Sequence, residues 1–186
     1  MKGRNQNGTI ITTQCGLQVR VRRLQPDDTQ HLLDIFDQMS SDSRYHRFSQ
    51  SVDNVSEELK WKEASRITGA DLHHGNGLIA FADLPGMPDT AVGAARYVCV
   101  GDGVAEAAMS VIDAVQRQGL GTKLMLLLAE YAQADGVREL RADIRSDNEA
   151  IRKILRRLPY KVTWVQGGEC SQVLVDLRNR PTEMRN

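Results

Sequence analysis

A pair of glycines in one short turn, Gly119 and Gly121, combines residue type and spacing in a way that suits anion binding. The apolar segment 105–112 precedes the turn, and its small and β-branched residues predict a short buried strand. Glycines let backbone N–H groups approach a ligand closely, and the start of a following helix adds about half a positive charge. The turn therefore suits a phosphate-bearing ligand, although two glycines can also serve only for close packing.

The helix after this turn is predicted from apolar residues at helical spacing, namely Leu120, Leu124, Leu127, Leu128 and Tyr131. Two known phosphate-binding loops do not match the turn. It lacks the Gly-Lys-Ser/Thr ending of a nucleotide P-loop, and it lacks the third glycine and downstream acid of a Rossmann turn. The predicted unit is strand, glycine turn and helix, outside both of those classes.

The elements that must position this unit follow from patterning elsewhere in the chain. Alternation at Leu17, Val19 and Val21 predicts a half-exposed strand. Pro26, with two acids behind it, predicts the start of a helix, and Ser56 the start of a second; segment 40–48 between them is predicted to be a polar loop. Further strands are predicted at 78–82, 91–100, 139–144, 161–166 and 170–177, with a late helix capped through Ser146 and Glu149.

This order predicts an α/β (α+β) fold. A helix connects the strands at 105–112 and 139–144, which makes that pair parallel inside an otherwise mostly antiparallel sheet. The 186 residues suit one domain, predicted at 17–178, with a flexible N-terminal tail at 1–16 and a C-terminal tail at 179–186.

Composition excludes several classes of function. Lys plus Arg and Asp plus Glu number 24 each, so the chain has no overall attraction to nucleic acid or to an anionic membrane. No apolar run approaches the ~20 residues of a membrane span, and the polar start lacks a signal-peptide core, so we expect a cytoplasmic protein. Three widely separated cysteines, Cys15, Cys99 and Cys170, predict neither a disulfide framework nor a metal site.

The turn also resembles a family signature. The segment Gln116-Arg117-Gln118-Gly119-Leu120-Gly121 is similar to the Gln/Arg-x-x-Gly-x-Gly/Ala sequence of the GNAT superfamily of acyl-CoA N-acyltransferases. Downstream, the strand at 140–144, then Asn148, and the ending Leu158-Pro159-Tyr160 resemble the rest of that pattern, with Pro-Tyr in place of Gly-Phe or Gly-Tyr. The resemblance implies the GNAT fold, with a six- to seven-stranded sheet, a central parallel pair and about four helices.

The amino-terminal half carries a narrower resemblance. Segments 19–28, 39–48 and 71–74, together with Ala105-Glu106, are similar to the catalytic domain of bacterial protein lysine acetyltransferases. Such enzymes acylate a lysine on acyl-CoA synthetases and related proteins, and the likeness spans about residues 17–160. It implies an acetyltransferase with acetyl-CoA as co-substrate and a protein lysine as acceptor. A regulatory cyclic-nucleotide domain or a synthetase-like domain, common in that family, is not found in this sequence.

The same resemblance assigns roles to individual residues. Glu106 corresponds to the general base, and a carboxylate among apolar neighbours has its pKa raised by desolvation; alternatively, strand alternation turns Glu106 to solvent. The backbone of Met109 and Val111 would pair with the pantetheine. The backbone N–H groups of the signature and of Thr122 would hold the pyrophosphate. Asn148 either hydrogen-bonds the pantetheine or only caps a helix.

Candidates on the substrate side are weaker. Arg44 and Arg47, with Tyr45, either steer an acidic segment of the target or pair within the chain. His73 and His74 are assigned a structural or substrate-side role, not a metal site. Leu155 stands where many relatives place a tyrosine that reprotonates the leaving thiolate. Three functions remain open: a protein lysine N-acetyltransferase, an N-acetyltransferase for a small amine, and a non-catalytic acyl-CoA-binding module.

Overall fold

The computed structural model describes residues 8–178, and within them the chain forms eight strands and six helices. The strands are β1 Thr9–Thr12, β2 Gln18–Arg23, β3 Gly75–Leu84, β4 Met87–Gly101, β5 Val104–Val111, β6 Glu139–Arg145, β7 Lys161–Val165 and β8 Cys170–Asp176. The helices are α1 Thr29–Asp37, α2 Ser41–Phe48, α3 Glu57–Thr68, the short α4 Ala70–His73, α5 Leu120–Ala134 and α6 Glu149–Leu155.

All eight strands form one sheet in the order β1-β2-β3-β4-β5-β6-β8-β7. Every neighbouring pair is antiparallel except β5 and β6, so the predicted parallel pair is confirmed. That parallel ladder is short: it runs over three residue pairs, from Val104 opposite Glu139 to Glu106 opposite Arg141. A crossover helix, α5, separates the two strands in sequence, as a parallel pair requires.

Helix α5 anchors the site to the core. It buries one stripe against the sheet, where Leu120, Leu124 and Leu128 are inaccessible to solvent or nearly so. Leu127 and Tyr131, predicted on the same face, are only partly buried, and Met125 and Ala129 are buried beside them. Helices α1 and α3 pack together and α1 contacts β4 and β5. The sheet therefore separates α5 from the helices of the amino-terminal half.

The start of α1 differs from the prediction. Pro26 and the two acids after it form a turn, and the helix begins at Thr29 with no acid in its first turn. Asp28 precedes the helix without a side-chain capping bond, because both of its carboxylate oxygens accept from Arg22, at 2.6 and 2.7 Å. The carboxylate is used in a buried ion pair instead of complementing the helix dipole.

The segment predicted as a polar loop at 40–48 is mostly helix α2. Ser40 caps this helix by accepting a hydrogen bond from the backbone N–H of Ser43 at 3.2 Å. The helix buries no residue completely, so its sequence has no apolar stripe by which a helix is recognised. Polar capping and contacts with other elements hold it, and neither leaves a periodic signal.

Two end regions also differ. The strand β1 lies within the predicted tail at 1–16, which corrects that prediction for residues 9–12 and accounts for an eighth strand. Helix α6 is capped by Asn148, whose Oδ1 accepts from the N–H of Ile151 at 3.1 Å, and not through Ser146. The predicted tail at 179–186 and residues 1–7 lie outside the described residues. Within residues 8–178 no helix is long and apolar enough to cross a membrane.

Candidate functional site

The two parallel strands diverge directly after Glu106. Beyond it β5 remains paired with β4, from Ala107 opposite Tyr97 to Val111 opposite Gly93, but it no longer pairs with β6. The gap between the two strands is part of a groove of about 710 Å³. Its walls come from β5, β6, α2, α6 and the start of α5, which places every element of the strand-turn-helix unit on one cavity.

The backbone of β5 presents hydrogen-bonding groups to this groove. The N–H of Ile112 donates to the carbonyl of Val92 on β4 at 3.0 Å. Because successive residues of a strand point their backbone groups in opposite directions, those of Val111 and Met109 face the groove. The Val111 carbonyl already accepts from Gln116 Nε2 at 2.9 Å. Both residues predicted to pair with an extended ligand therefore line the open edge of β5.

The glycine turn forms a cradle of backbone N–H groups at one end of the groove. Arg117 and Gly119 have φ values of 58° and 84°, in the left-handed region that favours glycine. Within residues 8–178 no protein acceptor faces the N–H groups of residues 117–122. Backbone N–H groups without acceptors at the start of a 15-residue helix are suited to binding a pyrophosphate. Arg117, Gly119 and Thr122 line the groove, whereas the backbone of Gln118 and Leu120 completes the turn.

Gly121 has a different reason to be glycine. A methyl group built on it would lie 2.9 Å from Cδ1 of Ile154 on α6 and 3.3 Å from Cε of Met109. Its missing side chain lets α5, α6 and β5 approach one another. The two glycines therefore have different structural reasons: Gly119 allows the left-handed backbone of the turn, and Gly121 permits close packing.

The amino-terminal segment braces the turn from outside. The N–H of Gln14 donates to the carbonyl of Gln118 at 2.9 Å, and Thr13 Oγ1 donates to Gln118 Oε1 at 3.3 Å. Lys123 Nζ, in the first turn of α5, donates to the carbonyl of Thr12 at 2.6 Å. Sequence analysis missed these contacts, since no local pattern connects residues more than a hundred positions apart.

Gln116 ties α2 to the groove. Its Nε2 donates to Ser43 Oγ at 3.0 Å as well as to Val111. Asp113, in the 3₁₀ turn Asp113–Val115, accepts from the N–H and hydroxyl of Ser40 and from the hydroxyl of Ser43. Partial burial raises the pKa of Asp113, but these hydrogen bonds outweigh it and hold the pKa below its ordinary value. Helix α2 is thereby fixed over the gap between β5 and β6.

Asn148 performs the capping role that was one of its two predicted alternatives. It also lines the groove. Because its Oδ1 accepts the capping hydrogen bond, the Nδ2 amide group is the part of the side chain that remains to donate to a ligand. A contact between this amide and a ligand stays a prediction.

Glu106 is exposed, which corrects the expectation of a carboxylate desolvated among apolar residues. It stands opposite Val98 on β4, on the sheet face of Ala108 and Ser110. It is also near enough to Arg96 to act on it electrostatically. Glu106 therefore occupies the last paired position of the parallel ladder; it lines neither cavity itself, but its neighbour Ala107 and its ladder partner Arg141 line the groove.

A second cavity opens off the groove. It measures about 420 Å³, lies between the sheet and helices α1, α2 and α3, and is lined mainly by apolar side chains. We call it the chamber. The residues it shares with the groove are Met39, Arg47, Ala108, Met109 and Ser110. A molecule in the groove and one in the chamber would meet at this junction.

The predicted substrate-side residues are not brought together. Arg44 donates to the carbonyls of Phe36 and Asp37 and stacks on the Phe36 ring at 4.5 Å, so it pairs within the chain. The Tyr45 ring lies under Arg145 at 4.3 Å. His73 and His74 are exposed at the end of α4 and line neither cavity. No contact here supports a direct role for these histidines.

Sequence analysis missed His46 and named Arg47, both on α2, only as a residue that steers an acidic segment or pairs within the chain. His46 lines the groove, with Nδ1 3.6 Å from Asp147 Oδ1 and Nε2 3.6 Å from Asp42 Oδ1. The available signal was weak: an i, i+4 pairing of Asp42 with His46 suggests a helix, but the segment lacks apolar periodicity. Recognising α2 as a helix would have placed both residues on it.

Comparisons with known proteins agree with this geometry. A family model described as an acetyltransferase (GNAT) domain matches residues 18–161. No curated protein sequence matches the chain. The GNAT domain of S. lividans PAT is 24% identical, with a TM-score of 0.76 over 91% of this chain and 96% of that one.

Two further structures extend the comparison. A cAMP-binding acyltransferase from Mycobacterium smegmatis is 26% identical, with a TM-score of 0.57 over 92% of this chain; the match spans 48% of that protein. A putative acetyltransferase from Salmonella typhimurium, solved with its cofactor acetyl-CoA, is 16% identical, with a TM-score of 0.61 over 89% of this chain and 99% of that one.

Proposed function

The chain belongs to the GNAT acetyltransferase family and is an acetyl-CoA-dependent acyltransferase; from that premise we propose that it acetylates a lysine side chain of a protein, with Glu106 as general base. The observation that carries the proposal is the position of Glu106. It ends the parallel ladder beside the groove, on the sheet face that lines the junction with the chamber.

The groove offers binding groups in the order in which acetyl-CoA would need them, from its pyrophosphate to its acyl group. At one end, the unfilled N–H groups of residues 117–122 would hold the pyrophosphate. Along the middle, the backbone edge of Met109 and Val111 would pair with the pantetheine. The acyl end then reaches the junction beside Ala108 and Ser110. Bound acetyl-CoA supplies an activated acyl thioester, which an amine can attack directly.

The acceptor must lose a proton. A free lysine has a pKa near ~10.4, so only about one in a few thousand is neutral at pH 7. A carboxylate at the position of Glu106 accepts that proton, directly or through one water, as the nitrogen attacks; such a base contributes about 10²–10⁴-fold in rate. An N–H of β5 facing the groove would stabilise the charge that develops on the carbonyl oxygen.

The test is Glu106→Gln, which keeps the shape and removes the basic oxygen. We expect kcat to fall by about 10²–10⁴-fold while the Kd for acetyl-CoA, measured by calorimetry, stays within twofold. Glu58→Gln, at an exposed glutamate in the first turn of α3, is the matched control and should turn over normally. Undiminished turnover by Glu106→Gln would remove Glu106 from the mechanism.

A lysine acceptor is supported by the resemblance of residues 17–160 to bacterial protein lysine acetyltransferases. One observation favours a second acceptor class, a small-molecule amine: the chamber of about 420 Å³ has the size and apolar lining of a small-ligand site. Labelled acetyl-CoA added to a lysate of the source organism separates the two. Label in a discrete protein band supports lysine acetylation, whereas label confined to small molecules supports the second class.

A further inference from the structure

The side chain of Arg47, near the end of α2, is partly buried at the junction of the groove and the chamber and lines both. Among residues 8–178 it has no hydrogen-bonding or ion-pair partner, and its Nε is buried without an acceptor. One face of the guanidinium stacks on the Phe48 ring at 4.9 Å, and the N–H donors in its plane have no acceptor in this part of the chain. Removing part of a cation from water without a counterion is unfavourable, so this position favours an anionic ligand.

The other charged side chains that line the chamber are already paired. Lys60 contacts Asp37 and Glu57, at 2.9 and 2.5 Å. Arg96 has an ion-pair partner in Asp71 at 2.7 Å, although its Nε, like that of Arg47, is buried without an acceptor among the described residues. Glu63 is bound at both carboxylate oxygens by Arg66, at 2.6 and 3.0 Å. Within the described part of the chain, Arg47 is the charged residue lining the chamber that has no ion-pair partner.

The surroundings of Arg47 are positive on balance. Burial, and then repulsion from Arg96, lower the pKa of Arg47 to about 10, so it is still charged at neutral pH. Glu63 attracts it and Arg66 repels it, but the carboxylate of Glu63 is engaged by Arg66. An anion that reached Arg47 would therefore be attracted and would not displace an internal partner.

The position of Arg47 limits the kind of anion that can bind to it. Arg47 is only partly exposed and lines both cavities, so we place its anionic partner inside the junction and not on the surface of a target protein. Pyrophosphate would be held at the glycine turn. The groove leads from that turn to Arg47, and beyond Arg47 the chamber is apolar. A methylene chain that ends in a carboxylate matches both features, because a carboxylate fits the planar guanidinium through two hydrogen bonds.

We propose that the acyl donors of this enzyme include acyl-CoA thioesters whose chain ends in a carboxylate, of the malonyl, succinyl or glutaryl class, with that carboxylate bound by Arg47. The inference rests on the acyl-CoA site proposed above. The transfer itself is unchanged. The amine nitrogen bonds to the thioester carbonyl carbon, the C–S bond breaks, CoA leaves as the thiolate, and Glu106 takes the amine proton. The distal carboxylate does not react, and the acceptor nitrogen gains an acyl group that carries a negative charge.

The experiment compares succinyl-CoA with butyryl-CoA, whose acyl chains both have four carbons and differ in the terminal carboxylate. Calorimetry on the full chain, with acetyl-CoA as reference, needs no knowledge of the acceptor. We expect succinyl-CoA to bind about tenfold or more tighter than butyryl-CoA. Arg47→Met should abolish that difference and leave acetyl-CoA affinity within a few-fold. Arg20→Met, which removes an exposed arginine paired with Asp89, should preserve it.

Several outcomes would overturn the inference. If succinyl-CoA binds no tighter than butyryl-CoA while acetyl-CoA binds, the donor assignment is wrong but the acyl-CoA site stands. If none of the three thioesters binds, the acyl-CoA site itself is wrong. A third arm measures thermal unfolding in the presence of CoA and phenylalanine, an amine that carries a carboxylate. If phenylalanine raises the melting temperature of the wild type but not of Arg47→Met, and succinyl-CoA binds no tighter than butyryl-CoA, then Arg47 binds a carboxylate of the acceptor and not of the donor.

Folding of the variant is checked by thermal unfolding. Arg47→Met removes an unpaired, partly buried charge and orphans no partner, so we expect it to melt no lower than the wild type. Should it fail to fold, the wild-type comparison of the two four-carbon thioesters decides the question alone.

Discussion

Asp28 illustrates at the residue scale how a charge assigned to one role serves another. Its carboxylate is 2% exposed and accepts from Arg22 and from the backbone N–H of Gln25, at 2.6 to 2.7 Å. Burial raises the pKa of Asp28, but the hydrogen bonds from Arg22 and Gln25 outweigh it, so the pKa lies below its ordinary value. The ion pair joins the end of β2 to the start of α1.

We therefore expect Asp28→Asn to lower the free energy of unfolding by about 2–3 kcal/mol, less than for a fully buried pair because Arg22 is 28% exposed. The pH dependence has a definite sign. Because the pKa of Asp28 is lowered in the folded state, its charge stabilises the folded state at pH values above the unfolded pKa, near ~3.9. That stabilisation is lost as the pH falls through the native pKa. Urea unfolding of both proteins from pH 7 to pH 3 measures it.

The difference in stability between the two proteins should narrow below pH 4. A constant difference across that range would show that Asp28 contributes through packing and not through its charge. Gln30→Glu, at an exposed position on α1, serves as a control for a change of charge near the helix start.

Single residues were predictable where the backbone determines the role. The signature Gln116–Gly121 was located from sequence, and the groove does form beside it. What sequence did not contain is the use of Gln116 as a tie between Val111 and Ser43, or the unpaired state of Arg47. Both depend on α2 crossing the gap, which is a tertiary contact. The catalytic role of Glu106 stays a prediction.

At the scale of elements, the turn and helix α5 invite a matched comparison. Gly119 and Gly136 have nearly equal φ values of 84° and 85°, and an added methyl group meets no severe clash at either. Alanine at either position should therefore cost a similar ~1–2 kcal/mol of stability from backbone strain alone. Only Gly119 belongs to the cradle of N–H groups.

Gly119→Ala should accordingly weaken acetyl-CoA binding by about tenfold, because relief of strain reorients those N–H groups, while Gly136→Ala binds normally. Calorimetry and thermal unfolding of both variants provide the measurements. Equal affinities in the two variants would contradict the assignment of the turn to the pyrophosphate.

Elements with periodic cores were predictable and elements held by polar contacts were not. Helix α3 follows its predicted serine cap, with Ser56 accepting from the N–H of Leu59. The parallel pair followed from the crossover helix. Helix α2 has no buried stripe, and β1 is four residues long with only Ile11 buried, so neither carries a readable period.

At the scale of the whole molecule, the chain's beginning and its glycine turn act together. Deletion of residues 1–14 would remove β1 and the hydrogen bonds from Thr13 and Gln14 to Gln118. We expect acetyl-CoA affinity to fall about tenfold. Stability should fall by about 1.5–3 kcal/mol, since the Ile11 side chain, 6% exposed, leaves the core. Binding and unfolding assays of the truncated chain test this, and unchanged affinity would show that the turn needs no brace.

The three residue pairs between β5 and β6 have a consequence for how the molecule opens. They join a larger body, which contains β1 to β5 and α5, to a smaller one made of β6, α6, β7 and β8. Beyond this short ladder, the two bodies are also joined by the packing of α5 against α6 and by the hydrogen bonds of Gln133 with Leu177 and Tyr160, and these must loosen for the smaller body to move. A donor lying in the gap would touch both bodies and raise the free energy of that opening. The same opening gives spent CoA a way out, so release of product can limit the rate of turnover.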